Sequence, residues 1–220
     1  MSGYTFYWPL VWDAWPELLG GVRLTVEITC LSVLFGTLLA MPLSVARQNG
    51  RGVTRRLSAA WIEVARNTPT LFQVYMMYFG VGALGINISS FASVLIALTF
   101  NNAGYLAEIF RGGLVAVPPQ QLRAARSLGM SQWQAYRKVI FPQVFSHVFP
   151  AFINQAVWAL LNSSLGMLIG LRELTGAANA AQSVSFRSFE FFLVTAGIYY
   201  VLAKAIEFGS KIVFRRALRT

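Results

Sequence analysis

Residues 118–142 read PPQQLRAARSLGMSQWQAYRKVIFP. This stretch holds Arg123, Arg126, Arg137 and Lys138 among seven Gln, Ser and Tyr residues. Such a segment stays out of a bilayer, because one charge at the centre of a span costs about 2.5–3.5 kcal/mol. Pro119 suits the first turn of a helix, where its missing N–H costs nothing. Leu122, Ala125, Gly129 and Trp133 fall three and four apart, a spacing that puts them on one narrow helix face. Gly129 is a natural helix stop, since it takes a left-handed conformation. Ser131 with Gln134 three residues on is a capping box that starts a second helix. The pattern predicts a short helix, a sharp turn and a second helix ending near Pro142. Two readings fit it: an amphipathic helix lying on a membrane surface, or a docking knob for a soluble partner.

The rest of the chain explains why a polar stretch stands out. Of 220 residues, 56% are hydrophobic and only 12% are charged, about half the charge of a soluble domain. The composition is that of an all-α membrane protein crossing the bilayer several times. The net charge of +10 does not point to nucleic acid once the charges are placed along the chain. Cys30 is the single cysteine, so no disulfide framework exists, and one Cys with one His makes no metal cluster. The first 22 residues carry Asp13 and Glu17 but no Lys or Arg, so no cleavable signal peptide is expected. No Gly-rich loop ending in GK[ST] occurs, so ATP hydrolysis is not expected in this chain, nor a cofactor of its own.

Five spans are expected, near 22–45, 57–81, 90–109, within 144–169, and 191–213; about 20 apolar residues suffice to cross a bilayer. Ahead of them, the aromatic stretch 4–19 predicts a short interfacial helix. Arg23 and Glu27, four apart, are placed to pair. Residues 171–190 read as a loop in which Arg172 and Arg187 are matched by Glu173 and Glu190. Gly166 and Gly170 form a GxxxG, a weak helix-packing signal. The basic groups Arg47–Arg56, the 118–142 segment and the tail with Lys211, Arg215, Arg216 and Arg219 all fall on one side of this layout. That side is expected to be cytoplasmic, with the N-terminus outside and the C-terminus inside.

Polar residues within the spans need a reason. The second span has Glu63 and Arg66, which are placed to neutralise each other, then Asn67, Thr68 and Pro69. Pro69 removes a helix hydrogen bond and opens the backbone beside a cavity. Thr68, Thr70 and Gln73 offer hydrogen-bonding groups there. The third span adds Asn101, Asn102 and Tyr105, with Glu108 and Arg111 as a pair. The fourth adds Asn154, Gln155, Asn162, Ser163 and Ser164. Interhelical glue explains such a row, and so does a shared water-accessible path. As substrate contacts the path reading names Arg66, Thr68, Gln73, Asn101, Tyr105, Asn162, Ser163 and Ser164. Lys204 and Glu207 read as a structural pair. No base lies near Ser163 or Ser164 to make a hydrolase nucleophile.

A resemblance narrows these choices. AARSLG, nine residues and VIFP resemble the coupling loop of ABC-importer permeases, through Ala124, Ala125, Gly129, Val139 and Pro142. Arg123 stands where that family usually has Glu, and Phe141 replaces Leu. RLTVEITCLSVLFG, VARNTPTLFQVYMMYFG, NNAGYLAEIFRGGLVAVP and SSLGMLIGLRELTGAA extend the likeness to the polar-amino-acid uptake permeases over most of the chain. The resemblance implies a type I ABC importer fold: residues 1–220 as one permease domain of five transmembrane helices, with an interfacial N-terminal helix and 118–142 as a cytoplasmic coupling helix. It implies a bacterial inner-membrane location. It implies as partners two ATP-binding subunits carrying ATP and Mg, a second permease subunit, identical or paralogous, and a periplasmic or lipid-anchored substrate-binding protein. It implies that Leu122, Arg123, Ala124, Ala125, Leu128, Gly129, Met130 and Trp133 touch an ATP-binding subunit, and that Glu at position 123 is tolerated. Cationic-amino-acid members carry Lys-Asp where this chain has Leu161 and Asn162. The substrate expected is thus a polar amino acid with an acidic or amide side chain. The competing classes are an ion-coupled secondary transporter and a membrane anchor without transport.

Overall fold

Long apolar runs become long helices here, and two devices, a proline break and a glycine turn, interrupt them. The computed structural model describes residues 4–217. In chain order the α-helices are α1 Pro9–Asp13, α2 Trp15–Asn49, α3 Val53–Asn67, α4 Thr70–Tyr75, α5 Val81–Ala83, α6 Ser90–Ala116, α7 Pro119–Ser127, α8 Gln132–Ala135, α9 Phe141–Asn162, α10 Leu174–Ser185 and α11 Ser188–Ala217. Five-residue π-helical turns, Met76–Gly80 and Tyr136–Ile140, join α4 to α5 and α8 to α9, and a 3₁₀ segment, Ser163–Ile169, follows α9. No strand occurs among the described residues. Four stretches are long and apolar enough to cross a membrane: Trp15–Asn49, Ser90–Ala116, Gln132–Ile169 and Ser188–Arg215.

The expected second span is not one such helix. It breaks at Thr68 and Pro69, whose backbones are extended (φ −112°, ψ 138° and φ −60°, ψ 135°). The expected interfacial helix shrinks to α1. Pro16 lies in the first turn of α2, where it starts that helix rather than ending one.

Helix α6 is the centre of the bundle and packs against α2, α3, α4 and α9. Small residues let the backbones close up. At Gly104 a Cβ would lie 2.5 Å from the Ala65 Cβ, so α6 and α3 touch with nothing between them. Ile28, Val74, Val94 and Leu98 fill one core cluster, and Ala40, Ile62, Leu106 and Ala107 a second.

Contacts at the helix ends define two poles. The end of α2 meets α3 through Arg47 and Glu63, and the start of α9 meets the end of α11 through Phe145, Phe149 and Phe214. At the other pole Gly21 of α2 abuts Leu174, and Ser90 Oγ donates to the Ile169 carbonyl at 2.8 Å. Arg47, Arg51, Arg55, Arg56, the α7–α8 segment and Lys211 therefore share one pole; Arg219 lies outside the described residues.

The stretch read as a charged loop at the opposite pole is the helix α10, buried between α2 and α11. Glu173 is fully buried and does not serve Arg172. Its carboxylate caps α10 by accepting the N–H groups of Thr175 and Gly176 at 2.9 and 2.8 Å, and it accepts the Tyr199 hydroxyl at 2.8 Å. Burial pushes this carboxyl up, against the opposing pull of those hydrogen bonds. Glu190 does pair with Arg187, at 3.8 Å, and accepts the Tyr7 N–H and the Tyr4 hydroxyl, strapping the N-terminal segment to α11. The pairs Glu108–Arg111 and Lys204–Glu207 form as expected, each at 2.7 Å. Arg23 and Glu27 are both exposed and make no ion pair among the described residues. Gly166 and Gly170 do not form a helix-packing face, because Gly170 takes φ +78° and ends the 3₁₀ segment.

Candidate functional site

The site begins with one missing hydrogen. Pro69 has no N–H, so the Ala65 carbonyl four residues back loses its helical donor. An unpaired buried carbonyl is costly, and in lipid it has no water to turn to. Two amides repair it: Gln73 Nε2 and Asn101 Nδ2 each reach the Ala65 oxygen at 3.0 Å. Gln73 Nε2 also donates to the Thr68 carbonyl and hydroxyl, at 3.2 and 2.8 Å, while Thr68 Oγ1 donates to the Val64 carbonyl at 2.7 Å. Asn101 Nδ2 donates to Gln73 Oε1 at 3.1 Å, and the Tyr105 hydroxyl donates to the Arg66 carbonyl at 3.3 Å. Thr68, Gln73, Asn101 and Tyr105, four of the sequence-predicted contacts, are thus gathered around the break. Each already has a structural partner there.

A second amide set lies deeper. Gln155 Nε2 donates to Asn102 Oδ1 at 2.8 Å, and Asn102 Nδ2 donates to Ser32 Oγ at 3.3 Å. This chain ties α9, α6 and α2, and all three residues are buried. It is the interhelical glue anticipated for one part of the polar row.

Arg66 is exposed and forms no ion pair with Glu63, which instead meets Arg47 at 3.5 Å. The Arg66 guanidinium lies over the Tyr105 ring, 5.4 Å from its centroid, and the Tyr105 ring meets Trp158 at 5.8 Å. No carboxylate pairs with Arg66 among the described residues. Asn162 Nδ2 donates to the Trp158 carbonyl at 2.9 Å. A continuous line therefore runs from Arg66 through Tyr105 and Trp158 to Asn162. Ser163 and Ser164 bond back to the carbonyls of Leu160 and Leu161, each at 2.7 Å; Ser163 is buried and Ser164 half-buried. Beside the break, an apolar hollow of about 570 Å³ is lined by Phe35, Trp61, Phe72, Met76 and Phe100, with Thr68 and Gln73 at its edge. Trp158 was not anticipated as a site residue. Only its position four residues before Asn162 on a helix could have marked it.

The 118–142 segment has the predicted first helix, turn and capped start of a second helix, but that second helix does not end near Pro142. It runs through the π-helical turn Tyr136–Ile140 into α9, because Pro142 sits in the first turn of α9, where its missing N–H costs little. Gly129 has φ +81°, and α7 ends in a Schellman motif: Met130 N–H donates to the Ala125 carbonyl at 3.3 Å and Gly129 N–H to that of Arg126 at 3.0 Å. The capping box is complete, with Gln134 N–H on Ser131 Oγ at 3.2 Å and Ser131 N–H on Gln134 Oε1 at 2.9 Å. Gln143 of α9 donates to Gln121, latching α7 to the bundle. The single narrow face does not survive, because the helix turns before Gly129. Ala125 is buried, while Leu128 and Trp133 are 80% and 66% exposed. Leu122 and Met130 are half-buried, and Arg123 and Ala124 are exposed.

Comparison with known proteins places this arrangement. The chain is 32% identical over 201 residues to the probable amino-acid permease protein YxeN of Bacillus subtilis, covering 90% of each. It is 33% identical over 201 residues to the octopine transport system permease protein OccM of Rhizobium meliloti, covering 87% of this chain and 82% of that one. The crystal structure of an amino acid ABC transporter with histidines superposes with a TM-score of 0.88 at 33% identity, over 97% of this chain and 100% of that one. Residues 32–219 match the family model for the binding-protein-dependent transport system inner membrane component. With its bundle, its broken span and its rigid basic knob, this chain belongs to the binding-protein-dependent transport system inner membrane components.

Proposed function

We propose that this chain is the permease subunit of an ATP-driven importer that carries a polar amino acid with an acidic or amide side chain. The observation that carries the reading is Arg66, a cation stacked on Tyr105 beside an opened backbone, with no carboxylate in ion-pair contact among the described residues. A free amino acid brings a carboxylate and an ammonium, and a low-dielectric site must satisfy both. Arg66 takes the carboxylate, by the bidentate geometry that suits guanidinium. Thr68 and Tyr105 add hydroxyls from either side. Asn162 and Ser164 offer hydrogen bonds to the side chain but no negative charge. A cationic side chain buried there lacks a counter-ion, which is strongly unfavourable.

The partners follow from the family and the knob. Two ATP-binding subunits hold ATP and Mg, and α7–α8 passes their closure to the membrane helices. A second permease subunit covers the broken face, since non-helical backbone at membrane depth belongs against protein or a water-filled cavity. A substrate-binding protein, periplasmic or lipid-anchored, delivers the amino acid from the pole opposite the basic one. The basic pole faces the cytoplasm. Likeness to proteins named for amino-acid and octopine transport supports the class. A gradient-driven carrier leaves the rigid knob without a purpose.

Competition of uptake by unlabelled amino acids tests the substrate. Glutamate, aspartate, glutamine or asparagine is expected to compete best. If arginine or lysine competes best, Asn162 does not set the preference. Asn162→Asp is expected to shift the preference toward cationic side chains; no shift places the substrate elsewhere than on this subunit.

A further inference from the structure

We propose that the docking segment is recognised by charge as well as by shape: the groove that receives it on the ATP-binding subunit carries carboxylates facing Arg123 and Arg126. This rests on the docking reading above and adds the chemistry of the partner surface.

The sequence contains no Asp or Glu between Glu108 and Glu173. Glu108 is already held by Arg111 at 2.7 Å. The cations of the docking segment are therefore not neutralised from within it. Arg123 and Arg126 are exposed, three residues apart on α7, and border a hollow of about 520 Å³ shared with Leu122, Ser127 and Gln132. Next to this hollow project Leu128 and Trp133, 80% and 66% exposed. A Trp–Leu anchor with arginines at its rim is the make-up of a protein interface, where aromatic residues and Arg are enriched.

The scaffold is preorganised, by the Schellman turn, the capping box and the Gln121–Gln143 latch. Rigidity of this kind lowers the cost of binding one partner. A helix lying on a lipid surface needs an apolar face along its length. Here Ala125 faces inward and the exposed apolar groups cluster at the turn. Guanidinium suits a carboxylate better than an ammonium does. Arg123→Glu, acceptable if only the family pattern mattered, is therefore harmful in this chain.

The test uses the full-length permease in nanodiscs of neutral lipid, titrated with the ATP-binding subunit that co-purifies with it. Like charges juxtaposed across an interface repel, so Arg123→Glu/Arg126→Glu is expected to weaken binding about tenfold or more at low salt. Native binding is expected to weaken as salt rises, and that of the variant to lose most of this dependence. Arg123→Lys/Arg126→Lys is expected to fall between the two. Unchanged affinity on charge reversal overturns the proposal, as does a loss seen only when the nanodiscs contain anionic lipid. Leu128→Ala/Trp133→Ala separates charge recognition from docking itself. If it weakens binding and charge reversal does not, only the acidic-groove inference fails; if it too leaves binding native, the docking reading fails.

Discussion

Single residues here act mainly by what they lack. Gly104 lacks a Cβ, and the Ala65 Cβ fills that space, 2.5 Å from where one would stand. Gly104→Ala is expected to destabilise the permease by about 1–3 kcal/mol, the range for overpacking a tight core. Ala65→Gly in the same chain is expected to recover most of that loss, because it removes the opposing methyl. Thermal unfolding in detergent reads both; a Gly104→Ala melt equal to the native one removes close α3–α6 contact from the account. Pro69 lacks an N–H, and the amides of Gln73 and Asn101 answer it. The sequence made these residues visible as polar groups out of place. It did not tell which carbonyl they serve, since that depends on two helices meeting at Ala65 and Asn101, 36 positions apart. Arg66 was ambiguous for the same reason: Glu63, one turn away, looked like its partner, but Arg47 on α2 takes Glu63 instead.

Among the elements, those built by local rules were legible and those built by burial were not. The α7–α8 knob follows from Pro119, Gly129, Ser131 and Gln134, all acting within a few residues, and it has the expected turns. Residues 171–190 read in sequence as a loop whose Arg172 and Arg187 are matched by Glu173 and Glu190, yet most of it is helix α10. Its body, LTGAANAAQSVS, is small and weakly polar, and only contact with α2 and α11 makes it a buried helix. The break between α3 and α4 is the element most open to test. Pro69→Ala returns an N–H that can bond the Ala65 carbonyl once the helix straightens, and it favours a continuous helix by about 3 kcal/mol relative to proline. The variant is expected to fold, to show greater amide-exchange protection at Arg66–Thr70, and to lose uptake. Uptake at the native level with a straightened helix would show that the break is not needed for transport.

At the scale of the whole molecule, sidedness ties the parts together. Hydropathy and the distribution of Arg and Lys gave the antiparallel run of helices, and the end-to-end contacts gather the basic groups and the knob at one pole. The amide-repaired break lies between the poles, where the proposed function puts the substrate. The proposed importer needs energy received at the α7–α8 knob to open a site at the break, with ATP as the link between them. Uptake of the best-competing labelled amino acid, by cells or vesicles holding the complete complex, tests this directly. ATP is depleted while the ion gradient is maintained, and then the gradient is collapsed while ATP is maintained. For an ATP-driven importer, uptake is expected to stop in the first condition and continue in the second; uptake that survives ATP depletion and disappears with the gradient would mean a gradient-driven carrier instead.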